Sequence, residues 1–519
     1  MRLDIKAIIK KANASLRNKK VRLIILFFFL GLIISLSFFP RAVEVLNQNP
    51  IFGFDQGREM LAAKNIVVNH KLILIGTEVG AGQAGISGIF HGPIYYYMLT
   101  IPFILFNGDP AKAVYLMFLF GILTIIFGYY FGKKLFGQWG GILFALLISI
   151  SPLFIAQSRF LWSPNPPTLF ILIALYFTYL LRENRKIYIF LAAFFSGFIY
   201  NFELGIAVPL SLALLAYSIF IFRKDLKQLL YLFAGFVFGY LPMILFEIRH
   251  GFLGTKSIIS YLTIHHKQTI GHTSIYYIID HAKAFIAYFQ GTFPTNFGHP
   301  LLLLLIIILS LYFLTKEKNI AFKYFFSFLL LLIPVTFLMF APLRNSVWNI
   351  YLLHLNVAYL LLFCYIVYSF ISRKLNLLFI AAVLFIGIMV LSGLQSAVKV
   401  STYDYSDYGG IAKVKGKVDA LDFIYKDAKG KPFGLLIFTP PVYTYPYDYL
   451  LWWYGERKYG YLPYQEKKGN FYLLIEMDPS KPWSYKGWLE TVIKSGDIIY
   501  TKTLPSGFIV QKRISNENN

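Results

Sequence analysis

The sequence predicts an α-helical polytopic membrane protein of about eleven spans, with a small α/β domain after the last of them. Three observations carry that expectation. Of 519 residues, 57% are hydrophobic and only 14% are charged. Runs such as 111–131, 138–156 and 204–221 are nearly free of charge. Runs of this purity belong in lipid, where a helix satisfies its own backbone hydrogen bonds. After residue 394 the hydropathy falls, and Lys, Asp, Tyr and Gly become frequent.

The runs read as spans are 23–39, 111–131, 138–156, 167–181, 187–200, 204–221, 228–246, 300–315, 322–341, 350–371 and 375–394. One further run, "GPIYYYMLTIPFILF" at 92–106, holds two prolines and is short for a span. Loop charge decides its status. If it does not cross, the basic loops at 133–134, 182–186, 223–227, 316–323 and 373–374 share a side with the basic N-terminus. If it crosses, all of them move outside, against the positive-inside rule. The expected order is therefore a cytoplasmic N-terminus at 1–22, a transmembrane domain at 23–394 and an external α/β domain at 395–519. Within it, 40–110 forms a first external loop, and 92–106 an interfacial or re-entrant helix.

In the last domain, "VKGKVDALDFIYKDAK" at 414–429 has helical periodicity, with Gly430 as a stop. Residues 433–439, 471–477, 497–504 and 507–513 read as strands. The net charge of +24 (49 Lys and Arg minus 25 Asp and Glu) sits mainly in the short loops. Such charge sets topology and gives no reason to expect nucleic acid. Cys364 is the only cysteine, so no disulfide forms within the chain. No small-residue cleavage site follows 23–39, so that run reads as an uncleaved first helix.

Chemistry-bearing residues collect on the expected external face. "FDQGREML" at 54–61 holds Asp55, Arg58 and Glu59. Asp55 precedes a plausible helix at 56–68, where it suits an N-cap as well as a catalytic role. Arg159 and Arg344 lie where the orientation rule disfavours arginine, which suits either anion binding or a reach toward lipid headgroups. "FHGPIYYYM" at 90–98 holds His91 and Tyr95, and "QSRFLWSPNPP" at 157–167 holds Arg159 and Trp162. "YLTIHHKQTIGH" at 261–272 holds His265, and "PLRNSVWNIYLLH" at 342–354 holds Arg344 and Tyr351. Aromatic faces with polar neighbours suit sugar rings, and arginine suits phosphate. His265 and His266 are adjacent and lack a paired carboxylate, so they form no clear metal ligand set. Glu203 and Glu247 border spans and receive no role.

"FDQGREML", "HGPIYYYML", "SRFLWSPNPP" and the C-terminal domain together resemble the GT-C superfamily of membrane glycosyltransferases. That group includes protein O-mannosyltransferases and the lipid A aminoarabinose transferase. The resemblance implies a sugar donor linked to polyprenyl phosphate in the bilayer. It also implies an acceptor hydroxyl on a glycolipid, cell-wall glycan or protein at the external face of the plasma membrane. In its terms Asp55 is the general base of an inverting transfer. Arg58, His91, Arg159 and Arg344 are candidates for the donor phosphate, and Glu59, Tyr95, Trp162, Tyr351 and His265 for support. No cofactor is certain, and a divalent metal stays open without a clear ligand set.

The chain departs from the family pattern in Asp55-Gln56, where many relatives have Asp-Glu, and in His91-Gly92-Pro93, where relatives often show Lys-Pro-Pro. Two other classes remain. A transporter or flippase for a lipid-linked glycan would place charges inside its spans. A receptor or scaffold would leave Asp55 replaceable.

Overall fold

The computed structural model describes residues 19–515, apart from 80–87, 184, 224, 269–273, 296–298, 344–346, 441–442 and 479. Every run read as a span is helical. Among the described residues, six helices are long and apolar enough to cross a membrane, or seven if a bent pair counts as one. That pair, Leu226–Gly239 and Leu241–Arg249, bends by 68°, where Pro242 opens the second helix and removes a backbone donor. Lys186–Asn201 and His299–Thr315 are shorter apolar helices. Helix length therefore separates full spans from shorter or broken ones among the eleven expected.

Two expected spans form one hairpin. Tyr115–Ile150 is interrupted at Gly137, whose φ of 78° favours glycine. Beyond it the chain turns back, so that Gly132 lies against Phe144. The first helix, Lys19–Asn47, runs through Pro40 and well past the expected end of the first span at 39. Arg41 explains the extension. Its guanidinium is buried and donates to the carbonyls of Ile148 and Ser149, each at 3.0 Å. These are last-turn acceptors of the hairpin, where a cation is favoured. Loop 40–110 thus begins later than expected, and Arg41 and Glu44 belong to a helix.

The run at 92–106 contributes Ile94–Leu105, 12 residues long. At 1.5 Å per residue this is about 18 Å, well short of a hydrocarbon core of about 30 Å. The other helix of this segment is Phe54–Val67.

The C-terminal elements match their expected positions closely. Val414–Ala428 is helical, and Lys429 and Gly430 end it with positive φ. Strands β1 (Gly434–Phe438), β2 (Asn470–Ile475), β3 (Asp497–Thr503) and β4 (Ile509–Ile514) form one sheet in the order β1-β2-β4-β3. β1 and β2 are parallel, and the other pairs are antiparallel.

This unit is bound tightly to the segment after the first span. Phe52 N–H donates to Ala412 O at 3.0 Å, and Val414 N–H to Pro50 O at 3.1 Å. The Tyr449 hydroxyl donates to Gly108 O at 2.5 Å, and Trp452 stacks on Phe103 with centroids 6.0 Å apart. The short helix Tyr445–Leu450 lies on Phe54–Val67. Within the unit, Lys417 pairs with Glu476 at 2.8 Å, and the Tyr447 hydroxyl donates to the same carboxylate at 2.5 Å.

Gly57 permits the closest approach. A Cβ there would fall 2.3 Å from Pro446 N and 2.6 Å from Tyr445 C, both backbone atoms. Gly57→Ala is expected to push the C-terminal unit off this helix at a cost of about 1–3 kcal/mol. Limited proteolysis of detergent-purified protein reads this as faster cleavage between residues 395 and 415. Unchanged cleavage would mean that the contact is not tight in solution.

Candidate functional site

The site is built on the first turns of Phe54–Val67. The sequence allowed Asp55 to cap this helix, but the cap is Gly53, and Asp55 lies inside the first turn. The physical reason is Gln56. Its Oε1 accepts the Gly53 N–H at 2.9 Å, and its Nε2 donates to Leu161 O at 2.6 Å. The amide that departs from the relatives' Asp-Glu pair therefore closes the helix end and ties it to the segment at 157–167. Asp55 is left with its side chain 35% exposed.

Arg58 Nη2 donates to Asp55 Oδ1 at 2.7 Å, one turn along, and its guanidinium lies over the Phe54 ring. Burial works against the Arg58 charge, but Asp55 and Glu59 outweigh it and hold its pKa above the ordinary value. Glu59 is fully buried. Its carboxyl accepts the Tyr95 hydroxyl at 2.9 Å and the Ser163 N–H at 3.3 Å. Burial pushes the Glu59 carboxyl up to about 8, against the opposing pull of Arg58. One acid thus joins three separate sequence motifs.

His91 is buried, and its Nδ1 accepts the Leu204 N–H at 3.3 Å. Burial, with Arg58 nearby, lowers its pKa to about 4, although a hydrogen bond to the Tyr200 backbone works the other way. The ring is neutral and engaged with backbone, so it joins 90–93 to the turn at 200–204. Glu203 at that turn is buried and accepts the Gly205 N–H at 3.0 Å. Burial raises its pKa to about 8. Tyr351 packs on the backbone of Gly205, and Trp162 stacks with Phe160.

Arg159 points elsewhere. Its Nη2 and Nε meet the two Glu44 oxygens at 2.5 and 2.9 Å, and Nη2 also meets Asp404 Oδ2 at 2.7 Å. This guanidinium joins the first helix to the end of the last long apolar helix, Asn376–Asp404, which runs ten residues past the expected span end at 394. Arg344 lies outside the described residues, as does the side chain of His265 within helix Leu253–Gln268. Among the described residues, no group of three His, Cys, Asp or Glu side chains is placed to hold a metal ion. Sequence reasoning missed Arg41, Glu44 and the bridging role of Gln56. The only sequence signal for the first two was charge just past an apolar run.

Long apolar helices, with a four-stranded sheet unit packed on the segment that bears Asp55 and Glu59, fit a multi-pass membrane protein. Residues 90–238 match the family model described as dolichyl-phosphate-mannose-protein mannosyltransferase. That stretch includes His91, Tyr95, Arg159 and Glu203, and it begins after the helix that bears Asp55. The crystal structure of ArnT from Cupriavidus metallidurans bound to undecaprenyl phosphate superposes with a TM-score of 0.54 at 13% identity, covering 94% of this chain and 97% of that one. Its apo form gives 0.55 at 12% identity, with the same coverage. No curated protein matches the chain in sequence. The family match and the shared fold together support a GT-C superfamily glycosyltransferase.

Two tests follow from the geometry. The folded pKa of Glu59 lies above its ordinary value of 4.5, so its stabilising contribution is complete below that pH and is lost as pH rises through about 8. The melting temperature of the wild type should therefore fall across this window, and that of Glu59→Gln should fall less. Parallel profiles would remove Glu59 as the cause. For Arg159→Ala, stranding the buried Glu44 carboxylate should cost about 3 kcal/mol. The double variant Arg159→Ala/Glu44→Gln should recover part of the loss. A full loss in both would contradict the pairing.

Proposed function

We propose that the chain transfers a sugar from a polyprenyl-phosphate donor to an acceptor hydroxyl at the external face of the plasma membrane, with Asp55 as general base. In this reaction the acceptor O–H gives its proton to the Asp55 carboxylate as its oxygen bonds to the anomeric carbon. The bond from that carbon to the phosphate oxygen breaks, and the lipid phosphate leaves with the electron pair. Attack opposite the leaving group inverts the anomeric centre. Arg58 serves twice, orienting Asp55 at 2.7 Å and offering charge to the departing phosphate. Glu59, Tyr95 and Ser163 hold that turn in place.

The observation that carries the reading is the contrast between Asp55, 35% exposed, and Glu59, buried one turn along. Only the first can meet a substrate. The undecaprenyl phosphate bound in the ArnT structure supports a polyprenyl donor here. The basic short loops support the external face. His91 and Arg159, already engaged with backbone and with carboxylates, serve this reaction through position.

Protein in lipid nanodiscs is incubated with radiolabelled polyprenyl-phosphate hexoses and pentoses, and released or transferred sugar is scored. The wild type should turn donor over, and Asp55→Asn should lose about a hundredfold or more, as removal of a general base does. Turnover that survives this substitution would move the base elsewhere. No turnover of any donor would count against the transferase.

A further inference from the structure

Phe54, next to Asp55 in the chain and under the Arg58 guanidinium that pairs with it, packs against two aromatic rings from a distant part of the chain. Tyr443 and Tyr445 stack nearly parallel, with centroids 5.5 Å apart and planes 7° from each other. Phe54 closes on both, 5.7 Å from Tyr443 and 5.2 Å from Tyr445. Tyr443 is 57% exposed. The tyrosine segment is held firmly. Thr439 Oγ1 donates to Tyr443 O at 3.1 Å, and Thr444 Oγ1 donates to the Asp448 carboxylate at 3.0 Å. The backbone of Tyr445 and Pro446 meets Gly57, within the turn that carries Asp55.

We propose that Phe54, Tyr443 and Tyr445 form a subsite that binds the acceptor as a carbohydrate, one sugar ring lying on the exposed aromatic face with a hydroxyl toward Asp55. The proposal rests on the transferase reading above and narrows its acceptor to a glycan. Two features favour a sugar over other occupants. An exposed aromatic face beside a carboxylate offers both surfaces a pyranose presents, its C–H face and its rim of hydroxyls. The cation at this edge, Arg58, is committed to Asp55 and to the donor phosphate, so the aromatic face beyond it is left to a neutral ring. The platform also joins the first loop to the C-terminal unit, which gives that unit a direct part in the chemistry.

Ligand-observed NMR on the full chain in nanodiscs tests this, with methyl α-mannopyranoside, methyl β-glucopyranoside and chitobiose as probes. Saturating the protein aromatic protons should transfer magnetisation to the C–H protons of at least one sugar. Tyr443→Ala, at an exposed position, should weaken that binding about tenfold, the scale of one lost stacking contact. Tyr443→Phe keeps the ring and should bind as the wild type does. No transfer to any probe, or equal transfer in Tyr443→Ala, overturns the subsite. Donor turnover measured on the same samples separates the two claims. Intact turnover without sugar binding overturns the subsite alone. Sugar binding lost in Tyr443→Ala, with no donor turnover in the wild type, keeps the platform and overturns the transferase.

Discussion

The buried carboxyl of Glu59 is the constraint around which the rest of the site is arranged. A fully enclosed acid is costly unless its oxygens are satisfied. Satisfying them draws Tyr95 from one segment and the Ser163 backbone from another onto the same helical turn. That gathering fixes the rotation of Phe54–Val67 and so decides which of its acids meets solvent. Asp55 is available because Glu59 is not. Arg58 lies between them, held by the nearer carboxylate.

A second layer of support comes from the chain's last quarter. The C-terminal unit grips the loop through backbone bonds at Phe52 and Val414, the Tyr449 hydroxyl, and the close approach at Gly57. Arg159 adds an ion-pair clamp between Glu44 on the first helix and Asp404. Such a pair stabilises little by itself, but loss of one partner strands a charge. The site therefore stands on a frame that joins the two ends of the chain.

Much of the fold was legible in the sequence. Apolar runs became helices because lipid leaves the backbone no other partner, and the four strands and one helix after residue 413 follow their patterns closely. The motifs that the structure brings together were also visible as aromatic, proline and charge mixtures. Their roles were less so. Whether Asp55 or Gly53 caps the helix depends on a side chain three residues beyond the cap, and Arg159 is paired with partners far away in sequence. The neutrality of His91 and the burial of Glu59 are products of packing, which no local pattern records. Helix length also told less than expected, because a glycine reversal and a bent pair break the simple run-to-span correspondence.

The bond from the Tyr449 hydroxyl to Gly108 joins residues 341 positions apart. During synthesis, the loop bearing Asp55 leaves the ribosome long before the segment that wedges against it. Until that segment arrives, the loop helix lacks its cover, and Phe52, Phe54 and Phe103 lack their aromatic partners. Premature termination before residue 445 would yield a membrane-inserted chain in which these contacts never form. The packing of the loop helix is thus completed only on molecules synthesised at least through Trp452.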